Sequence, residues 1–259
     1  MRDKWLYKLI IAILVLIIAG LAVFILRISY KQPKKPAPLK AKARIAIVID
    51  DWGYNTNSLK IAGEIGYPIT ASVLPNLNSS KNVAEELHKR GFEIILHLPM
   101  APRAKIPLEK NTILPSMDIK TIKTIISQDL SGIPHVKGVS NHMGSKITED
   151  SQIIEIIFND LKKRNIYFLD SYVTANSICS GSAVKIGLPF ARRDVFLDNT
   201  GDSLYIKGQL NKLKRIASQK GSAIGIGHDR PVTLKVLKEE MPKMEEEGYK
   251  FVFVSELVK

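Results

Sequence analysis

The stretch IAIVIDDWGYN, residues 45–55, introduces the pattern that decides the fold class of this chain. Five apolar residues, Ile45 to Ile49, predict a buried strand, which runs directly into two adjacent carboxylates, Asp50 and Asp51. Neighbouring acids repel each other and lose hydration when they are buried, so we expect the fold to give this pair something to bind. A turn in which the acids cap the next helix is the simpler alternative.

The same pattern of an apolar run, a polar loop and an amphipathic stretch repeats through residues 44–259. The predicted strands are 45–49, 69–74, 92–96, 138–140, 166–169, 193–197, 223–227 and 251–254, and the predicted helices include 79–90, 118–130, 149–164, 204–220 and 232–247. Strands that alternate with helices lie parallel and are joined by right-handed crossovers. Seven or eight such units favour an α/β fold of one domain, a parallel (β/α) barrel, over an open sheet.

Polar side chains follow most of the predicted strands at the point where each strand ends. They are Asp50 and Asp51, His97, Asn141 and His142, Asp170, Asp198 and His228. In a barrel of parallel strands all the carboxyl ends lie on one rim, where barrel enzymes place their active sites. We therefore expect these residues to converge. The remaining histidines, His88 in a predicted helix and His135 in a loop, are expected to be exposed.

One carboxylate and two imidazoles suit a catalytic divalent metal, for which we predict Zn²⁺, because such a zinc takes three protein ligands and keeps an open position. We assign Asp51, His97 and His142 to this set as a hypothesis. Asp50 would then take a proton from the attacking water, and His228 would protonate the leaving group. Either ligand histidine alone would more often be a hydrogen-bonded structural residue, so the hypothesis requires a shared rim.

Five further residues are candidates for contacts with the substrate or for support of the catalytic groups. They are Asn141, Ser145, Asp170, Arg193 and Asp194. Arg193 and Asp194 form either a structural salt bridge or a bracket that orients a catalytic carboxylate or histidine. Asn141 and Ser145 either donate hydrogen bonds to the substrate or organise their own loop.

The composition excludes several classes of protein. With 24% charged and 45% hydrophobic residues, the chain is expected to form a globular core. Residues 1–44 carry ten Lys or Arg and one acid, whereas the other 28 basic and 24 acidic residues nearly balance. Since the net charge of +13 is concentrated near the N-terminus, we expect no nucleic-acid partner. The single cysteine, Cys179, excludes an internal disulfide and is predicted to be a small packing residue.

Residues 9–26, LIIAILVLIIAGLAVFIL, are predicted to form a transmembrane anchor, because 18 uncharged residues approach the bilayer core of about 30 Å. No small-residue cleavage site follows them. The predicted layout is a short basic segment (1–8), the anchor (9–26), a Pro/Lys-rich linker (27–43) and the barrel (44–259). The basic residues after the anchor favour a cytoplasmic barrel, but the predicted chemistry suits an envelope substrate. We expect a single-pass cell-membrane protein whose barrel is extracytoplasmic.

Six motifs occur in the order IVIDDWG, LHLPM, NHMGS, FLDS, RDVFLDN and GIGH, spread through residues 43–258. At these motifs the sequence resembles the divergent polysaccharide deacetylases, a distant branch of the NodB-like carbohydrate esterases. The resemblance implies a distorted seven-stranded (β/α) barrel, a divalent metal, and hydrolysis of N- or O-acetyl groups on an envelope polysaccharide.

One departure from that family concerns the metal ligands. The better characterised NodB-like enzymes draw two ligands from histidines four residues apart, whereas Ala101 stands four residues after His97 and Lys146 four residues after His142. The main hypothesis is a membrane-anchored metal-dependent deacetylase that draws one histidine from each of two strand ends. A non-catalytic glycan-binding or scaffold protein on the same barrel is the alternative. A metallohydrolase for other amides or phosphates is a third, though a Gly-rich phosphate loop is missing.

Overall fold

The chain divides into two units, residues 1–40 and 41–259, and the computed structural model describes residues 2–30 and 41–259. The first unit contains helix α1 (Arg2–Tyr30). Within α1, Lys4–Arg27 is long and apolar enough to cross a membrane, a criterion that an N-terminal signal sequence also meets. The predicted anchor lies inside this helix. Of the predicted linker, residues 31–40 lie outside the described residues.

Residues 41–259 form a nine-stranded sheet in which the paired strands are parallel. The strands are β1 (Ala43–Trp52), β2 (Thr70–Val73), β3 (Glu93–Met100), β4 (Val136–Met143), β5 (Tyr167–Asp170), β6 (Phe190–Arg192), β7 (Val195–Phe196), β8 (Ser222–His228) and β9 (Tyr249–Val252). Their order is β6-β5-β4-β3-β2-β1-β8-β7, and β9 pairs with the first half of β1.

The predicted fold class is confirmed, because the parallel strands curl into part of a barrel with helices around it. Two details differ from the sequence-based expectation. The strand order of this unit ends at β6 on one side and at β7 on the other, so the barrel is open between these two short strands. The sheet also has nine strands, whereas the family resemblance implies seven and the sequence pattern predicts eight; each of the eight has a counterpart in the sheet, and the three-residue β6 is the additional strand.

Within residues 41–259, seven helices connect the strands. They are α2 (Leu59–Gly63), α3 (Ser80–Lys89), α4 (Ile119–Gly132), α5 (Ser151–Lys163), α6 (Cys179–Ile186), α7 (Ser203–Lys220) and α8 (Pro231–Glu246). The side chains of Asp118, Asp150 and Asp202 accept hydrogen bonds from first-turn N–H groups and so fix the starts of α4, α5 and α7. The short helices α2 and α6 were not predicted, because one or two turns leave little periodic pattern to detect.

Strand alternation separates the buried residues into two clusters. On β1, Ile45, Ile47 and Ile49 belong to the large cluster that includes the helices, whereas Ala46 and Val48 belong to a smaller cluster of strand residues inside the curled sheet. Successive side chains of a strand point to opposite faces. The inward row of β1 therefore continues to the position of Asp50, at the carboxyl end of the strand.

The end of β1 is irregular in a way that shapes the site. The pairing with β2 moves from Ile49–Ala71 to Trp52–Val73, so Asp50 and Asp51 together lie opposite the single residue Ser72. This is the arrangement of a β-bulge, which bends a strand and re-aims its side chains. Asp51 accordingly has a φ of 66°.

Candidate metal centre

The carboxyl ends of β1, β3, β4 and β8 bring five predicted site residues together around Asp51. Asp51 Oδ1 lies 3.3 Å from His97 Nε2 and 3.1 Å from His142 Nδ1, while Asp51 Oδ2 lies 3.8 Å from His228 Nε2. Asp50 Oδ2 lies 3.7 Å from His97 Nε2. Asp51, His97 and His142 each offer a ligand atom, and these atoms all lie within 4.8 Å of one another.

The bulge in β1 explains how two adjacent acids reach the same histidine nitrogen. In a regular strand Asp50 would face the barrel interior and Asp51 would face the helices. The extra residue and the left-handed backbone at Asp51 turn the second carboxylate to the same side. Non-glycine residues in this conformation carry strain, which at a functional site is retained because it positions the side chain.

The two acids have different electrostatic environments. Burial raises the pKa of Asp50, and the neighbouring Asp51 raises it further, against the opposing effects of His97 and His228. For Asp51 burial acts in the same direction, but contacts with His142 and His97 outweigh it, so the pKa of Asp51 lies well below its ordinary value. Two carboxyl groups whose pKa values are shifted in opposite directions suit two roles, a permanently charged ligand and a base that takes up a proton.

Unpartnered buried atoms test whether these residues fit a cation. Within the described part of the chain, Asp50 Oδ1 and Asp51 Oδ1 are buried without a hydrogen-bond partner, and Asp51 Oδ1 is the oxygen that faces the nitrogens of His97 and His142. Buried polar atoms of this kind are costly and call for an explanation such as a bound ion. One carboxylate and two imidazoles are the donor set of many catalytic zinc sites. The cluster of Asp51, His97 and His142, named the metal-site triad below, therefore fits a divalent cation.

His228 is supported by a buried carboxylate that the site prediction did not include. Asp198 is fully buried, and its Oδ1 lies 2.8 Å from His228 Nδ1. Burial lowers the pKa of His228, but the contacts with Asp198 and the charge of Asp51 outweigh this effect and raise it. The sequence pattern identifies Asp198 only as a residue at a strand end. The pairing of β7 with β8, which the sequence does not reveal, brings it to His228.

Asp170 and Arg193 lie on neighbouring strand ends without forming a direct ion pair. Asp170 accepts hydrogen bonds from the Tyr172 N–H and the Ser177 hydroxyl, and burial raises its pKa. The Arg193 guanidinium donates to the carbonyls of Ser171 and Tyr172, at 2.6 and 2.7 Å. Arg193 thus holds the β5–α6 loop beside the site, and its charge acts on Asp170 across that loop.

Asp194 faces away from the metal-site triad. Its carboxylate pairs with Lys220 Nζ at 2.8 Å and accepts the N–H of Ile224 at 2.9 Å. Ile224 precedes His228 by four residues on β8, which places this contact about 13 Å from the end of the strand. Asp194 therefore joins the start of β8 to the end of α7, and the suggested pair with Arg193 does not form.

The two remaining candidates are engaged in loop contacts. Asn141 Nδ2 donates to the Met143 carbonyl at 2.7 Å, and Asn141 Oδ1 accepts the N–H of Ser171 at 2.8 Å. Ser145 Oγ accepts the N–H of Arg103 at 3.0 Å. Both contacts correspond to the loop-organising alternative, and they leave a substrate role for either residue as a prediction.

The remaining histidines and the cysteine lie outside the site. His88 and His135 are exposed and stack on each other with ring centroids 3.8 Å apart. Cys179 is buried at the start of α6, and burial raises the pKa of its thiol. A buried thiol with a raised pKa is unreactive, which agrees with a packing role.

Known proteins resemble this chain over most of the second unit. A model of the family described as divergent polysaccharide deacetylase matches residues 47–258. The protein YibQ of Escherichia coli K12 is 37% identical over 196 residues, which cover 76% of this chain and 61% of YibQ. The chain thus spans less than two thirds of that relative.

Two solved structures share the fold. A crystal structure of a protein from Agrobacterium tumefaciens has a TM-score of 0.80 at 24% identity and covers 86% of this chain and 92% of its own. A family 4 acetyl xylan esterase from Clostridium thermocellum, in complex with a cobalt ion, has a TM-score of 0.50 at 14% identity and covers 83% and 89%. The match of the family model to residues 47–258 shows that the chain belongs to the divergent polysaccharide deacetylase family.

Proposed function

We propose that this protein is a membrane-anchored, metal-dependent hydrolase that removes N- or O-acetyl groups from a cell-envelope polysaccharide. The observation that carries the proposal is the convergence of the metal-site triad with Asp50 and with His228 around one carboxylate, that of Asp51. Membership of a polysaccharide deacetylase family supports the reaction class.

Asp51, His97 and His142 would hold the cation, for which Zn²⁺ is our first choice. A bound divalent ion would supply polarisation of the acetyl carbonyl and a lowered pKa for a water molecule. The cobalt ion in the acetyl xylan esterase of similar fold supports a divalent metal here. The three side chains come from the ends of β1, β3 and β4, which lie within a run of four adjacent strands of one sheet, so the backbone holds their spacing.

Asp50 and His228 would move the protons of the reaction. Asp50, whose pKa is raised by burial, accepts the proton of the attacking water. His228 holds a proton at Nε2 and transfers it to the departing nitrogen or oxygen of the sugar. The carboxylate of Asp198, 2.8 Å from Nδ1, keeps the ring oriented and stabilises its protonated form. The products are acetate and the deacetylated sugar.

The location of the protein is part of the same proposal. The apolar stretch Lys4–Arg27 would anchor the chain in the cell membrane by a single span, with the barrel on the extracytoplasmic side where envelope polysaccharide is found. Fusion of alkaline phosphatase to the C-terminus tests this orientation. The fusion should be active, because this enzyme folds only outside the cytoplasm, and an inactive fusion would place the barrel inside.

Acetate release from defined glycans tests the activity. The full chain, purified in detergent, is incubated with chitooligosaccharides, peptidoglycan fragments and acetylated xylan, before and after chelation and reloading with Zn²⁺. We expect about one metal per chain and acetate from at least one glycan, with loss on chelation and recovery on reloading. His142→Ala should lose metal and activity, whereas His88→Ala, at an exposed histidine, should lose neither. Glycan binding without acetate from any substrate would favour the non-catalytic alternative.

A further inference from the structure

Two buried serines connect the metal-site triad to the base, and neither belongs to the predicted site. Ser72 on β2 and Ser140 on β4 are both fully buried. Ser72 Oγ lies 2.6 Å from Ser140 Oγ, and Ser140 Oγ lies 2.7 Å from His97 Nδ1. The other ring nitrogen of His97 faces Asp51. A continuous hydrogen-bonded path therefore runs from Ser72 through His97 towards the acids.

Strand register places both ends of this path at the same acidic pair. His97 and Ser140 are direct partners across β3 and β4. Ser72 is the single residue that lies opposite the bulge formed by Asp50 and Asp51. The path thus starts beside the acids on β2, passes through the barrel interior, and returns to them through the imidazole.

The number of hydroxyl protons permits two directions for this path. Each hydroxyl donates one hydrogen bond and accepts others, and a neutral imidazole carries its proton on one of its two nitrogens. When the proton is on Nε2 of His97, it points to Asp51; Ser140 then donates to Nδ1 and Ser72 donates to Ser140. When the proton is on Nδ1, His97 donates to Ser140, Ser140 donates to Ser72, and the Ser72 proton is left for another acceptor.

A cation on His97 selects the second direction, because coordination needs the lone pair of Nε2. We propose that Ser140 and Ser72 form a relay that holds His97 in the Nδ1–H form for metal binding and, in the same step, turns the Ser72 hydroxyl towards Asp50. This inference rests on the proposed metal site. The acceptor follows from the strand register, because Ser72 lies opposite the bulge that holds Asp50. Binding of the metal to His97 then also orients the hydroxyl that faces the base, Asp50.

Zinc affinity of the full chain in detergent, measured by competition with a chelating dye, tests the relay. Ser140→Ala should weaken Zn²⁺ binding by roughly 10- to 100-fold, the usual effect of removing the partner of a ligand histidine. Ser140→Thr keeps the hydroxyl and should restore most of the affinity. Ser72→Ala should affect affinity less but lower kcat at saturating zinc, because the hydroxyl that faces Asp50 is lost.

Thr70→Val is the matched control. Thr70 lies two residues before Ser72 on the same face of β2, is equally buried, and donates its hydroxyl to Glu93 rather than to the site. The variant should lose thermal stability without losing zinc affinity. The absorption spectrum of the Co²⁺-loaded protein gives a second readout, which should change in Ser140→Ala and stay unchanged in Thr70→Val.

The outcomes separate the relay from the proposed function. If the wild-type chain binds no Zn²⁺, the proposed metal site fails and the relay fails with it. If the wild type binds Zn²⁺ and folded Ser140→Ala binds it equally well, the relay alone is overturned. Equal losses of affinity in Ser140→Ala and Thr70→Val would also overturn it, because the effect would then reflect general destabilisation.

Discussion

The carboxylate of Asp198 accepts three hydrogen bonds, and two of them come from His228. One oxygen lies 2.8 Å from the His228 ring nitrogen Nδ1, while the other accepts the backbone N–H of the same residue and the hydroxyl of Thr233. A fully buried carboxylate with three donors is held in one orientation, and it passes that orientation to the imidazole. Asp198 follows the two-residue strand β7, so the position of this short strand directs the His228 ring towards the metal-site triad.

Asp198→Asn should therefore impair turnover without removing the metal. The amide replaces one acceptor oxygen with a donor, so it cannot accept all three hydrogen bonds. We expect kcat to fall towards that of His228→Ala, for which loss of a general acid predicts a decrease of roughly 10²- to 10⁴-fold. Metal content should stay at the wild-type value, because Asp198 touches no residue of the triad. An unchanged kcat would contradict the positioning role of Asp198.

The same pair predicts how the stability of the metal-free protein depends on pH. The pKa of Asp198 lies below its ordinary 3.8, because contacts with His228 and Thr233 outweigh the effect of burial. The charged carboxylate therefore stabilises the folded protein above pH 3.8, and this stabilisation is lost as the pH falls through the folded-state pKa. The pKa of His228 is raised above 6.5. The protonated imidazole therefore stabilises the folded protein below pH 6.5, and this stabilisation is lost as the pH rises through the folded-state pKa.

Thermal unfolding in a chelator, from pH 3 to 9, measures this dependence. The difference in Tm between the wild type and Asp198→Asn should be largest between pH 3.8 and 6.5 and should shrink on both sides. A difference that stays constant across this range would mean that the pair contributes by packing rather than by charge.

The adjacent acids offer an isosteric pair of variants that separates ligand from base. Asp51→Asn should reduce zinc affinity at least about 10-fold, because a neutral amide is a poor ligand, and it should abolish the rise in Tm on addition of Zn²⁺. Asp50→Asn should keep the metal and lower kcat by roughly 10²- to 10⁴-fold. Metal analysis and kinetics on the same samples provide the check. Loss of metal in Asp50→Asn, with retention in Asp51→Asn, would exchange the two assignments.

Residues at strand ends were the part of the site that sequence could predict. Asp50, His97, His142 and His228 follow apolar runs, and parallel strands bring such residues to one rim whatever the loops between them do. The curled parallel sheet followed from the same alternation of strands and helices. These features are local in the chain, so a single sequence contains them.

The contacts that the sequence does not predict depend on pairing between segments that are far apart in the chain. Asp198 meets His228 only because β7 lies beside β8, and Ser72 meets Ser140 only across the intervening strand β3. In the sequence, Ser72 and Ser140 are small residues within apolar runs and look like ordinary core positions. The salt bridge between Arg193 and Asp194, one of two alternatives for these residues, does not form, because the segment between β6 and β7 gives them different partners: Arg193 contacts the carbonyls of Ser171 and Tyr172, and Asp194 pairs with Lys220.

Gly53 supports the bulge that turns Asp51 inward, and its replacement should disturb both stability and metal binding. Its φ is 125°, and a Cβ added there would lie 2.9 Å from Ser80 Oγ and 3.2 Å from the Leu74 carbonyl oxygen. Gly53→Ala therefore meets a strained backbone and a close contact, for which we expect a loss of about 1–3 kcal/mol in the free energy of unfolding. Denaturant unfolding and zinc competition measure the two effects.

Gly208→Ala is the matched control, a change of glycine to alanine at a position with room for the added Cβ. Gly208 lies inside α7, and a Cβ added there meets no atom within 4 Å. Alanine in a helix interior is favoured over glycine by roughly 0.5–1 kcal/mol, so this variant should be slightly more stable than the wild type and should bind zinc equally well. If Gly53→Ala is as stable and binds zinc as tightly as Gly208→Ala, the backbone at residue 53 does not hold Asp51 in place.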